Sequence, residues 1–305
     1  MRVVVSLTTL PDRYDHVAAV VTMLEAQTYP ISAIYLGLPA EAARLKILYP
    51  PLPEQLVTRL TVVPLMTDYG PVCKLAGALL VEKDPTTLII TVDDDAVYAS
   101  NLVETIVKHA TDFPGCAVCG SGLLLGAGIA GTAVSSSLAG WRDWRHTTGF
   151  VVPEDGRNID AIIGVSGVGY RRGFFPVDPL PLLNRAIEEL SVFCNDDLFI
   201  SAYLCSQNIP RRIFTDFPAV GAQDVDYSTA LSQNFLRMIW RFWTARCILE
   251  EWGWFHKYEP VGLDESVGWQ VGIPIVCIIL LLLAVLIVVW VKYLTYGTDP
   301  MPVTK

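Results

Sequence analysis

The segment Thr87–Val92 is built only of apolar and β-branched residues, and it runs straight into Asp93, Asp94 and Asp95. An uninterrupted apolar stretch of this length reads as a strand covered on both faces. Three adjacent carboxylates at its end repel one another, so the position is costly unless a cation or hydrogen-bond donors meet them. The chain must therefore fold so that a central, two-sided strand delivers three acids to a place where compensating groups converge.

The surrounding sequence supplies the rest of such a sheet. Val3–Thr8, Ala33–Leu38, Leu60–Leu65 and Cys116–Gly120 read as strands, and Tyr14–Gln27, Lys74–Val81 and Asn101–Ala110 as helices. Val17, Val20, Val21 and Leu24 give the first helix one apolar face, and Ser100 or Asn101 is placed to cap the third. This βαβα order predicts an α/β fold with a doubly wound, mainly parallel sheet, whose ligands gather at the carboxyl ends of the strands. From Gly120 to Gly169 the pattern loosens, which predicts insertions around a site or a plain surface loop. Val192–Ser206 reads as one helix and Ile213–Phe217 as a short strand.

Composition matters at the other end. The 305 residues are 52% hydrophobic and 17% charged, and no charged side chain lies between Ser266 and Val291. About 20 apolar residues in a helix cross a hydrocarbon core of about 30 Å. Residues 266–292 therefore predict a single transmembrane helix, with a buried core helix as the alternative, and 293–305 a short tail. Met1–Leu7 lacks the features of an export signal. The expected arrangement is a single-pass membrane protein with a C-terminal anchor and its large domain, residues 1–230, facing the cytosol. Between them, residues 231–265 carry Trp240, Trp243, Trp252 and Trp254 interleaved with Arg237, Arg241, Arg246 and Lys257. That mixture suits a helix lying in a membrane interface, or a helix packing its aromatics on the domain. The seven cysteines are scattered, and Cys116-Ala-Val-Cys119 reads as strand residues rather than zinc ligands. A net charge of −9 argues against a nucleic-acid partner.

Two acidic groups carry the chemistry. Alternation along an extended segment puts Asp93 and Asp95 on the same side, where hard oxygens suit Mg²⁺ or Mn²⁺. A cation held there would neutralise a diphosphate leaving group. The second group is Cys194-Asn195-Asp196-Asp197-Leu198, at the head of a predicted helix. One of these acids can cap the helix, which leaves the other available as a general base.

In order and spacing, these elements resemble the GT-A fold of family-2-type glycosyltransferases, in which a DxD motif follows the central strand and an acidic pair comes later, at the acceptor helix. Ser6–Arg13, Asp68–Leu75 and Gly167–Phe175 are also similar to segments of a GT-A-like group from viruses and microbes. The resemblance covers roughly residues 1 to 217. It implies a metal-dependent transferase that uses a nucleotide-sugar donor, a UDP- or GDP-sugar, and a glycan, lipid-linked saccharide or protein acceptor. By position, Asp93 would touch the ribose or the metal, Asp95 would be the main metal ligand, and Asp94 would lie with the cofactor-binding residues. Asp197, with Asp196 beside it, would be the catalytic base. Thr8 and Arg13 would lie near the nucleotide, and Asp68 and Lys74 would flank the donor, Lys74 either meeting a phosphate or standing solvated on its helix. Gly167 and Gly169 would let backbone approach a sugar, or form a turn. His256 would be a third ligand or an aromatic-neighbour surface histidine.

Two departures qualify this. Tyr35-Leu36-Gly37-Leu38-Pro39 lacks the acid that holds the nucleobase in typical members, which leaves Asp68 to do so. Gln233–Trp240 does not match the spacing of the QxxRW motif of polymerising members, so transfer of one or a few sugars is expected rather than extrusion of a polymer. The competing expectations are a nucleotidyltransferase that makes nucleotide sugars and a non-catalytic tail-anchored scaffold. Against the first, Ser6–Arg13 contains no glycine.

Overall fold

The computed structural model describes residues 1–124, 132–135, 150–151, 155–223 and 244–254. The chain divides into two units, Met1–Tyr258 and Glu259–Lys305, and all described residues belong to the first.

An eight-stranded sheet forms the centre. In chain order its strands are β1 (Val3–Leu7), β2 (Ala33–Pro39), β3 (Thr61–Leu65), β4 (Leu88–Thr91), β5 (Ala117–Cys119), β6 (Arg157–Asn158), β7 (Val168–Arg171) and β8 (Arg211–Ile213). Their spatial order is β6-β8-β5-β7-β4-β1-β2-β3. Parallel pairings join β3, β2, β1 and β4, and also β8 and β5; β7 lies antiparallel between β4 and β5, and β6 antiparallel to β8. The sheet is thus mainly parallel, as expected, but β7 enters from the stretch where strand signals weaken.

Alternation along the central strands feeds two cores. Val3, Val5, Leu7, Leu88 and Ile90 face a core shared with α1 (Tyr14–Glu25). Val4 and Ile89 face the opposite core, with α2 (Cys73–Val81). The first core also takes α3 (Leu102–Asp112), through Leu102, Val103 and Ile106. This three-layer arrangement follows from a period of two in the strands set against a period of 3.6 in the helices. At α2 the helix comes unusually near the sheet. A Cβ on Gly37 would stand 2.4 Å from the Cys73 carbonyl oxygen, and one on Gly77 would stand 3.2 Å from the Gly37 Cα. Two glycines facing each other let the α2 backbone sit on β2, and that seats Lys74 beneath the strand ends.

Several local expectations need correction. Asn101 precedes α3 but makes no capping bond. The Val103 amide donates instead to Gln27 Oε1 at 2.9 Å, so a side chain from the turn after α1 takes the cap's place. After α4 (Leu180–Arg185), the single helix read over Val192–Ser206 is two, α5 (Leu190–Phe193) and α6 (Asp196–Ser206), and the break puts Asp196 and Asp197 in a first turn. The short strand read over Ile213–Phe217 is Arg211–Ile213, because pairing with Ala117–Cys119 sets its limits. The loosened Gly120–Gly169 stretch holds a second, four-stranded sheet that includes Ser121–Leu124 and Ala161–Ile162. Small residues there allow close pairing but give no alternating apolar signal.

In the stretch 244–254 the aromatics pack on the domain. Ala245 and Leu249 are fully buried, Trp254 lies against Phe199 and Tyr203, and the Arg185 guanidinium stacks 3.8 Å over Trp252. Trp240, Trp243, His256 and the apolar run 266–291 lie outside the described residues. Among the described residues, no helix is long and apolar enough to cross a membrane.

Candidate active site

A cavity of about 290 Å³ opens at the carboxyl ends of the parallel strands. Thr8, Arg13, Asp68, Lys74, Asp93, Asp94, Asp95, Asp196 and Asp197 all line it. Four separate parts of the chain meet here: the turn after β1, the loop into α2, the end of β4 and the head of α6.

The acidic turn splits its three carboxylates. Asp93 and Asp95 keep 27% and 29% of their side-chain surface open, whereas Asp94 is buried. Alternation therefore places the outer pair toward the cavity. Asp94 accepts a short hydrogen bond from Thr9 Oγ1 and lies 3.5 Å from Arg13 Nη1. Burial raises its pKa to about 6, against the opposing bond from Thr9. Its carboxylate, expected among the cofactor-binding groups, is committed to tying the turn after β1 to the end of β4. Burial, with the charge of Asp93 next, also raises the pKa of Asp95, and Arg13 Nη1 lies 3.3 Å from its Oδ2.

Lys74 is neither solvated nor a free point charge. Its side chain is 7% exposed; Nζ donates to Asp93 Oδ1 at 2.7 Å and lies 2.8 Å from Asp196 Oδ2. The second contact is an ion pair outside hydrogen-bonding geometry. Burial would lower its pKa, but Asp196, Asp93 and Asp197 together hold it well above the usual value. Lys74 thus joins the two acidic groups that the sequence keeps about a hundred residues apart.

Asp197 receives the Gly164 amide on Oδ2 at 3.0 Å. Burial, followed by the charge of Asp196, raises its pKa to about 8. Asp197 therefore holds its proton more tightly than an ordinary carboxyl group, whereas Asp196 is the counter-ion of Lys74. A Cβ on Gly164 would stand 2.8 Å from Asp197 Oδ1 and 3.2 Å from Lys74 Nζ, so this glycine keeps the cluster closed.

The remaining residues brace the walls. Thr8 Oγ1 donates to the Gly37 carbonyl at 2.8 Å. Asp68 accepts from the amides of Gly70 at 2.7 Å and Ala43 at 2.8 Å. Gly167 and Gly169 are not in the cavity. A Cβ on Gly169 would lie 2.6 Å from Ile106, and Gly167 has φ of +78° beside Leu102. They serve the packing of β7 on α3, not the approach of a sugar. Sequence reasoning missed Thr9, Tyr49 and Phe193, which also line the cavity. Tyr49 Oη donates to the Thr9 carbonyl at 2.7 Å, leaving its ring as wall. Thr9 lies within the Ser6–Arg13 segment, where only Thr8 and Arg13 were singled out; no motif marks Tyr49 or Phe193, which only the fold brings in.

Among the described residues, no group of three or more His, Cys, Asp or Glu side chains is arranged to hold a metal ion. Asp93 and Asp95 offer two partly open carboxylates. Mg²⁺ accepts such a set when water and ligand phosphates complete its shell.

No family model matches the chain, and no curated protein does. Among solved structures, the chain is similar to S. aureus TarS at 13% identity and a TM-score of 0.44, over 85% of this chain and 41% of that one. A likeness at that level assigns no chemistry, and the chain spans less than half the length of that protein.

Proposed function

We propose that the chain is a glycosyltransferase that moves a sugar from a nucleotide-sugar donor, a UDP- or GDP-sugar, to a glycan, lipid-linked saccharide or protein acceptor. The reading is supported chiefly by one observation: residues singled out by their likeness to family-2-type GT-A enzymes, from four distant segments, line one cavity at the carboxyl ends of parallel strands. Asp93 and Asp95 would hold Mn²⁺ or Mg²⁺, which when bound supplies charge neutralisation to a leaving diphosphate. Arg13, which reaches Asp94 and Asp95 through Nη1, can turn other guanidinium donors toward a phosphate. Asp197 takes the proton of an acceptor hydroxyl, and its raised pKa matches that task. Tethering through 266–292, with the domain facing the cytosol, belongs to the same proposal and is supported by the charge-free run.

The test is a screen of nucleotide sugars with Mn²⁺ or Mg²⁺, scored by release of nucleoside diphosphate, with water as the acceptor where none is known. Asp95→Ala is expected to reduce the rate by at least about a hundredfold, on the scale of losing one group that stabilises developing charge. A folded wild-type protein that releases nothing from any donor defeats the proposal, and release of pyrophosphate in a parallel assay with a nucleoside triphosphate and a sugar 1-phosphate would make it a nucleotidyltransferase. Protease added to sealed vesicles should digest the domain; full protection reverses the orientation.

A further inference from the structure

Gln223 was marked by no motif, yet it hydrogen-bonds the backbone of the acidic turn and of the residue after it. Its amide donates to the Asp95 carbonyl at 2.9 Å. Its Nε2 lies 3.1 Å from the Asp94 carbonyl oxygen and 3.2 Å from that of Ala96. On its far side, Oε1 lies 3.1 Å from His16 Nδ1, on α1. Just before it, Gly221 and Ala222 pair antiparallel with Val97 and Ala96.

The segment that carries it is pinned at its start as well. Phe214 and Phe217 stack on the buried His109 ring at 3.8 and 6.0 Å, and Asp216 pairs with both His109 and Lys108. Residues 214–223 thus run from the last turn of α3 to the backbone of the acidic turn. Three consecutive carbonyls, those of Asp94, Asp95 and Ala96, all end on one residue. That backbone carries two of the three carboxylates, and its carbonyls have to be satisfied by some donor.

We infer that Gln223 is a positioning residue, a clamp that fixes the backbone of the acidic turn so that Asp93 and Asp95 keep a common direction into the cavity. Its functional part rests on the transferase reading above. Arg13 and Lys74 grip the carboxylates, whereas Gln223 grips the peptide groups that carry them. A two-carboxylate cation site has little redundancy, so a turn free to rotate loses cation affinity before it loses its fold.

Two variants of the full chain separate the clamp from simple packing. Gln223→Ala removes the side chain, and Gln223→Glu keeps its size and its reach to His16 but replaces the Nε2 donor with an acceptor that faces carbonyl oxygens. The first readout is hydrogen exchange over residues 93–97, which needs no ligand. The second is the Mn²⁺ concentration that gives half-maximal nucleoside diphosphate release. Both variants are expected to exchange faster and to need roughly tenfold more Mn²⁺, the scale of losing one or two net hydrogen bonds, with kcat at saturating metal little changed. Unchanged exchange in both variants overturns the clamp. So does a Gln223→Glu protein that behaves as wild type, which would reduce the residue to packing. Faster exchange with an unshifted Mn²⁺ midpoint in an active enzyme overturns the positioning role. Faster exchange in a protein whose wild type releases no nucleoside diphosphate leaves the clamp standing and removes the transferase reading instead.

Discussion

Lys74 and Arg13 approach the same acidic turn from opposite elements, but they are held differently. Lys74 lies between two carboxylates at 2.7 and 2.8 Å. Arg13 reaches Asp95 and Asp94 at 3.3 and 3.5 Å, through a single nitrogen. Both are nearly buried, at 7% and 8% side-chain exposure. The ammonium is a point charge consumed by its neighbours; the guanidinium is a fork with donors to spare. One cation is taken up by the carboxylates on either side of it, and the other meets them through one nitrogen of its fork.

Substitution at the two cations tests that distinction most directly. Lys74→Ala strands Asp93 and Asp196 without their shared partner, and it is expected to cost about 3–5 kcal/mol in urea unfolding, the range for breaking a buried pair. Arg13→Ala is expected to cost less, about 1.5–3 kcal/mol, the value of a hydrogen bond to a charged group, and to raise the donor KM more than it lowers kcat. Equal stability losses, or an Arg13 variant with normal KM, would erase the contrast.

The pH response comes next. The Asp197 pKa lies near 8 in the fold, against an ordinary 3.8. A raised folded pKa favours the folded state below about 4, and that contribution is lost as pH rises through about 8. Thermal stability of the wild type should therefore decline between about pH 4 and about pH 8, and Asp197→Asn should flatten the decline. Turnover moves oppositely: a base must be ionised, so kcat/KM is expected to climb toward a plateau above about pH 8. Asp197→Asn should leave a low, flat profile. A variant that is inactive yet relatively more stable at pH 9 would show the residue kept for chemistry rather than for the fold.

The smallest effect concerns the glycine that closes the Lys74 side. Gly164→Ala pushes a methyl group to 2.8 Å from Asp197 Oδ1. It is expected to cost about 1 kcal/mol, at the low end for overpacking, and to lower turnover several-fold, with a shifted pH midpoint as its signature. No shift would mean that Asp197 has room to move.

The site was legible where chemistry is concentrated in a run. Asp93–Asp95 and Asp196–Asp197 stand out because adjacent carboxylates are costly anywhere else. The roles of their neighbours were less legible. Lys74 looked like a helix surface residue or a phosphate contact until Gly37 and Gly77 brought its helix onto β2. Gly167 and Gly169 looked like part of a sugar site or a plain turn until the packing of Leu102 and Ile106 accounted for them. Gln223 carried no signal, since it meets Asp94 across 129 positions.

By itself the sequence determined the α/β class, most elements before residue 112 and the two acidic centres, because hydrophobic period and like-charge repulsion are local properties of a chain. The tertiary structure alone decided that β7 enters antiparallel, that the Val192–Ser206 stretch breaks before Asp196, and which cation each carboxylate meets. Strand order and charge pairing depend on which distant segments come within a few ångströms of each other, and no local pattern encodes that distance.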